Sequence, residues 1–178
     1  MKQTILKGFH RPLQLIPACF KPFSLCFMFN KAYSVQRCIK FTENCAYNLG
    51  DNDQYDWNKL FGVAFGVRGI HRNSIRFGWR WSIAKQKIEL CTIEYRNGFV
   101  TREYMRDCDI PLNEWVYLHI DFEMDANDKI TYKFTCNGKE YSHGNIDGTD
   151  LYSFWGCGLY FGGNRRSPHR MTIEIEKL

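Results

Sequence analysis

No apolar stretch in this sequence is long enough to cross a bilayer. The longest, Phe23–Phe29, falls far short of the ~20 residues a spanning helix needs. A secretory leader is missing too: Lys7, His10 and Arg11 interrupt the short run that follows Lys2. Ile16-Pro17-Ala18-Cys19 has the outline of a lipoprotein cleavage box, but the residues before it are too polar to enter a translocon. The expected location is therefore the cytoplasm or a virion. There is no C-x-x-C pair, no Cys/His spacing suited to a zinc tetrahedron, no G-x-S-x-G elbow, no P-loop and no H-E-x-x-H helix. These gaps remove the commonest hydrolase, nucleotidase and metalloprotease arrangements. The expectation is a non-enzyme, with no catalytic residue, metal or cofactor. The run Asp51–Asp56 puts Tyr55 in a ligand slot and lacks the glycine of a calcium loop, so it reads as a solvated loop.

Acidic residues are absent from residues 1–42, which carry seven basic ones: Lys2, Lys7, Arg11, Lys21, Lys31, Arg37 and Lys40. The whole chain has a formal charge of +5, so the other 136 residues hold 17 basic and 19 acidic side chains, a net of −2. A nearly neutral body with a basic N-terminal segment is poorly matched to general nucleic-acid binding, which needs a broad cationic surface. Pro12, Pro17 and Pro22 forbid a continuous helix there. The alternation of Phe23, Leu25, Phe27 and Phe29 reads instead as an edge strand. Residues 1–44 are accordingly read as a basic, proline-spaced arm or edge strand that packs on the body or on a neighbouring subunit, and 45–178 as the β-sandwich domain.

What the sequence has in quantity is strand pattern. Aromatics make up 16% of the chain, a bias that suits pleated surfaces. Val116, Leu118, Ile120, Phe122 and Met124 alternate with polar neighbours, as do Ile130, Tyr132, Phe134 and Cys136, and then Met171, Ile173 and Ile175. Asn97-Gly98, Asn137-Gly138 and Asp147-Gly148 mark tight turns, because both residue types tolerate positive φ. The eight cysteines include Cys91 and Cys136 inside such runs, so they read as reduced, small core hydrophobes. An all-β sandwich or barrel follows.

Two stretches carry candidate binding chemistry. In His71–Trp81, strand geometry puts Ile75, Phe77, Trp79 and Trp81 on one side and Arg72, Ser74, Arg76 and Arg80 on the other. Gly78 leaves a gap in the arginine row. Guanidinium forks suit carboxylate or phosphate, although pairing with Glu89, Glu94 or Glu103 on neighbouring strands would equally explain the row. The second stretch, Tyr160–Arg170, breaks at Gly162-Gly163 and gathers Arg165, Arg166 and His169 at a loop tip. Arg72, Arg76, Arg80, Arg165, Arg166, His169 and His71 form the expected recognition face.

Asn113–Asp121, followed by Ile130–Phe134 and Asn137-Gly138, resembles the concanavalin-like (laminin-G-like) jelly roll, where a Trp opens a central strand and the next ends in an Asn-Gly hairpin. Asn58–Gly62, His71–Arg80 and Tyr160–Asn164 with Pro168-His169 are similar to small uncharacterised proteins of Bacteroidota and their phages. The first resemblance implies a concanavalin-like jelly-roll β-sandwich, and the second carries no activity with it. On these grounds the sequence reads as a binding or assembly module, virion-associated, whose basic residues 1–42 dock a protein partner or a second copy. The alternatives are a carbohydrate-binding or polysaccharide-lyase-like sandwich using His71, His169, Arg76 and a tyrosine, and an anti-defence protein that sequesters an anionic nucleotide.

Overall fold

The computed structural model describes residues 1–12, 32–65, 70–127, 129–146 and 154–178. The expected strand at 23–29, the turn at Asp147-Gly148, and Cys19 and Cys26 lie outside them. The described residues form eleven strands and two short 3-10 turns, with no α-helix. In chain order the strands are β1 (Lys2–Ile5), β2 (Ala32–Phe41), β3 (Asn58–Phe65), β4 (Ser74–Ser82), β5 (Lys87–Arg96), β6 (Phe99–Tyr104), β7 (Trp115–Met124), β8 (Ile130–Cys136), β9 (Lys139–Ile146), β10 (Phe154–Cys157) and β11 (Met171–Lys177). They make two antiparallel sheets, ordered β1-β11-β2-β7-β8-β9 and β10-β3-β4-β5-β6. This is the jelly-roll β-sandwich that the concanavalin-like resemblance implies.

The core lies between the sheets. Ile75, Phe77, Trp79 and Trp81 of β4 face Val116, Leu118, Ile120 and Phe122 of β7 and Phe134 of β8, all buried. Aromatic rings lock the layers: Phe77 meets Phe134 edge to face at 4.9 Å, and Phe41 meets Trp79 at a tilt with centroids 5.2 Å apart. The Asn97-Gly98 and Asn137-Gly138 turns adopt the expected left-handed conformation at both residues.

The described strands of residues 1–44 belong to the sandwich itself. β2 sits inside the six-stranded sheet, paired with β11 on one side and β7 on the other, and β1 adds to β11. The sequence hides β2 because Arg37 interrupts its apolar face: Tyr33, Val35, Ile39 and Phe41 share the core side with it. Arg37 reaches that interior with its guanidinium 5.8 Å from the Phe61 ring. The backbone of β2 is thus paired on both sides within the chain, which removes it as a docking strand for another molecule, whereas β1 is an edge strand paired with β11 alone. A second correction concerns cysteine. Cys45 and Cys91 are buried thiols, as expected, but Cys108 in the β6–β7 connection forms a disulfide with Cys136 of β8. Spacing alone could not reveal a pair brought together by packing of the two sheets.

The five-stranded sheet is buried on both sides at its centre. Every residue of β3 is buried, which is why no alternation marks it in the sequence. Against β4 its register slips by one residue between Lys59 and Gly62, a β-bulge. The extra residue lets Lys59, opposite Gly78, and Gly62, opposite Arg76, both face away from the core while Leu60 and Phe61 fill it. A methyl group at Gly62 would stand 2.1 Å from the Ile75 carbonyl oxygen and 2.6 Å from Arg76 Cα. Gly62→Ala should therefore cost upwards of about 2 kcal/mol in urea unfolding. Gly98→Ala, in open space at φ +88°, should cost about 1 kcal/mol. Equal costs would contradict the close approach at Gly62.

Candidate functional site

Antiparallel register assigns the side chains that share the face of the five-stranded sheet turned away from the core. One row runs Tyr160, Lys59, Gly78, Cys91, Tyr104, and the next runs Cys157, Gly62, Arg76, Ile93, Arg102. Tyr160 enters the first row through a two-hydrogen-bond bridge to Lys59, with N···O distances of 2.8 and 2.9 Å. Gly62 and Gly78 form a floor without side chains over which Arg76 and Lys59 can lie. Three cations, Lys59, Arg76 and Arg102, therefore occupy neighbouring positions.

None of the three forms an ion pair among the described residues. Arg76 is 1% exposed, and its Nε and Nη2 are buried without a hydrogen-bond partner. Its guanidinium lies 5.3 Å from the Tyr95 ring centre, a cation–π contact that replaces only part of lost hydration. Lys59 is also buried. Burial first, then the charges of Arg76 and Arg102, push its ammonium down from the ordinary 10.5 to about 8. His71 stands edge-on to Tyr95 at 5.4 Å, and burial, Arg76, Lys59 and Arg11 hold its imidazole below the usual value. Cys157 beside Arg76 is pushed up to about 11 by burial, against the arginine's pull, and is no nucleophile.

The expected recognition residues divide into two groups. His71 and Arg76 converge on Tyr95. Arg80 is neutralised as cross-strand pairing anticipates: its Nε lies 2.7 Å from Glu89 Oε2, its Nη1 donates to the Tyr55 carbonyl, and its guanidinium stacks on Trp57 at 4.1 Å. Arg72 is exposed in the turn before β4. The Gly162–Arg170 loop does not join this face. Arg165 bridges Asp51 and Asp53, at 2.6 and 3.2 Å, and His169 Nε2 meets the Asn44 carbonyl at 2.9 Å. Arg166 points to solvent. The Asp51–Asp56 segment is thus an anchor for Arg165, and no metal-holding cluster of His, Cys, Asp or Glu occurs among the described residues. Three members of the face have no mark in the periodicity: Lys59, Arg102 and Tyr95. The glycines interrupting β3 and β4 are the one sequence signal that points to them.

No protein-family model matches the chain, and no curated protein matches it. Solved structures do. The alginate lyase Aly36B superposes with a TM-score of 0.65 at 13% identity, over 99% of this chain and 78% of that one. The alginate lyase AlyC3 gives 0.56 at 12% identity, over 99% and 70%. The endo-β-1,4-glucuronan lyase from the fungus Trichoderma reesei gives 0.51 at 9% identity, over 99% and 77%. At these identities the likeness establishes the jelly-roll fold.

The shifted lysine makes a stability prediction. The folded chain releases the Lys59 proton near pH 8 and the unfolded chain near 10.5, so stability rises with pH between those values. Below pH 8 the charged form is retained in the fold at a cost of about 3 kcal/mol. Lys59→Met should therefore raise the melting temperature at pH 7, and the gain should fade as the pH approaches 10.5. A gain that does not change with pH would place Lys59 in solvent.

Proposed function

We propose that the outward face of the five-stranded sheet binds an acidic polysaccharide and cleaves it by β-elimination. The observation that carries this reading is the set Lys59, Arg76 and Arg102: three neighbouring cations, two of them buried, that no carboxylate of the described residues neutralises. A polyanion supplies what they lack, and the aromatic rings of Tyr95 and Tyr160 beside them suit the faces of sugar rings. The fold likeness to alginate and glucuronan lyases adds support at the level of architecture.

Elimination asks for three things. A uronate carboxylate must be neutralised so that its α-proton becomes acidic, a base must take that C5 proton, and an acid must protonate O4 as the C4–O4 bond breaks. The products are a new reducing end and a C4=C5 double bond, and no water is consumed. Arg76, with two unpartnered N–H-bearing nitrogens, is the neutralising group. Lys59, brought to about 8 by its surroundings, is available as a neutral amine near physiological pH and is the base. Tyr160, opposite it with the Lys59 ammonium 5.9 Å from the ring centre, is the acid.

This ordering differs from the expectation of a non-enzymatic assembly module. That reading rested on a free N-terminal arm, and most of the described part of that segment is built into the six-stranded sheet. Nucleotide sequestration would use the same cations and becomes an outcome of the same test.

The test is incubation with alginate and with glucuronan while the absorbance of unsaturated product is followed. The rate should rise with pH through about 8, and Lys59→Met and Tyr160→Phe should each lower it at least about a hundredfold. Binding without product would leave a carbohydrate-binding module. Absence of both binding and product, with a thermal shift by a cyclic nucleotide, would overturn the proposal.

A further inference from the structure

The segment Gly8–Arg11 is held beside Tyr160, at the edge of this face, by backbone hydrogen bonds to Phe161 and Ser167. Gly8 N–H donates to the Ser167 carbonyl at 2.8 Å, Ser167 N–H to the Phe9 carbonyl at 3.1 Å, and Phe161 N–H to the His10 carbonyl at 2.7 Å. Gly8, at φ +78°, makes the turn that brings the chain back from β1. The latch sets the His10 ring parallel to Tyr160, with centroids 5.0 Å apart, and places the Arg11 guanidinium 5.8 Å from the same ring. The His10 Nδ1 is fixed at 2.8 Å from the Phe161 carbonyl. Arg11 is exposed and makes no ion pair among the described residues.

Two cations, Arg11 from the N-terminal segment and Lys59 from β3, therefore stand within 6 Å of one tyrosine ring without an anion between them. Like charges repel, and among the described residues the cation–π contact with Tyr160 is what sets the exposed Arg11 there rather than in open solvent. An anionic ligand on Tyr160 would convert that repulsion into a two-sided clamp.

We propose that residues 8–11 form a wall of the acidic-sugar site, with Arg11 contacting the carboxylate of a sugar unit next to the one held by Arg76. The inference rests on the polysaccharide reading of the face and extends it to a second sugar position. Binding energy gathered at a neighbouring unit orients the reacting one, so Arg11 acts on substrate position rather than on the bond broken.

The experiment uses the full chain and an alginate tetrasaccharide, with binding followed by calorimetry. His71 is titrated by NMR in the same variants, because Arg11 is one of the charges that depress it. Arg11→Ala should weaken binding about tenfold, as loss of a charge-assisted contact does. Arg11→Lys should recover part of the loss, and Lys7→Ala, an exposed cation outside the wall, should stay within about twofold. The His71 pKa should rise in Arg11→Ala. Equal weakening by Arg11→Ala and Lys7→Ala would reduce the effect to general attraction, and tighter binding by Arg11→Ala would make the segment a cover rather than a wall. Either overturns the inference while leaving the polysaccharide reading intact. An unmutated protein that binds no tetrasaccharide overturns both, even where the His71 shift confirms that Arg11 faces the cluster.

Discussion

A guanidinium buried without an anion is the constraint on which the rest of this molecule depends. Arg76 sits between Ile75 and Phe77, whose side chains enter the core on the opposite side of β4. Strand alternation leaves Arg76 no other direction, and Phe77 cannot move without breaking its contact with Phe134. Burial of an unpaired charge opposes folding by several kcal/mol. It persists because the aromatic core beneath holds the strand. The core is thus the source of the stability that a strained, charged face consumes.

The face is shaped by small irregularities in an otherwise regular sheet. The bulge in β3 turns Lys59 outward beside Arg76 rather than into the core. Gly62 and Gly78 remove two side chains where the cations need room, and the approach of Arg76 Cα to Gly62 shows that no larger residue fits. Other arginines that the sequence singles out are neutralised: Arg80 pairs with Glu89 across β4 and β5, and Arg165 with Asp51 and Asp53 ties two loops together. Glu89 shows the balance in miniature: burial acts to raise its carboxyl, yet hydrogen bonds from Arg80 and Lys85 outweigh burial and lower it. Arg76 has no such partner among the described residues.

Strands with one wet face were legible in the sequence, and those without were not. β7 and β8 could be read residue by residue because polar and apolar side chains alternate, and the two Asn-Gly turns followed from their tolerance of positive φ. The inward set of β4 and the neutralisation of Arg80 by Glu89 were likewise visible. β3 was silent, since burial on both faces erases the period of two. β2 was disguised by Arg37 on its core side, so a central strand was taken for an arm. The site suffered from the same limit. Lys59 looks like any surface lysine until the fold surrounds it. Nothing local predicts that the Gly162–Arg170 loop turns toward Asp51 and Asn44 instead of toward Arg76.

A crystal structure of the protein with an alginate tetrasaccharide tests the central claim most directly. The account predicts a uronate carboxylate within hydrogen-bond distance of Arg76 Nη2, with the Lys59 amine on the C5 side of that sugar. An oligosaccharide bound on the six-stranded sheet, or an Arg76 that keeps its present surroundings while sugar occupies another surface, would contradict it.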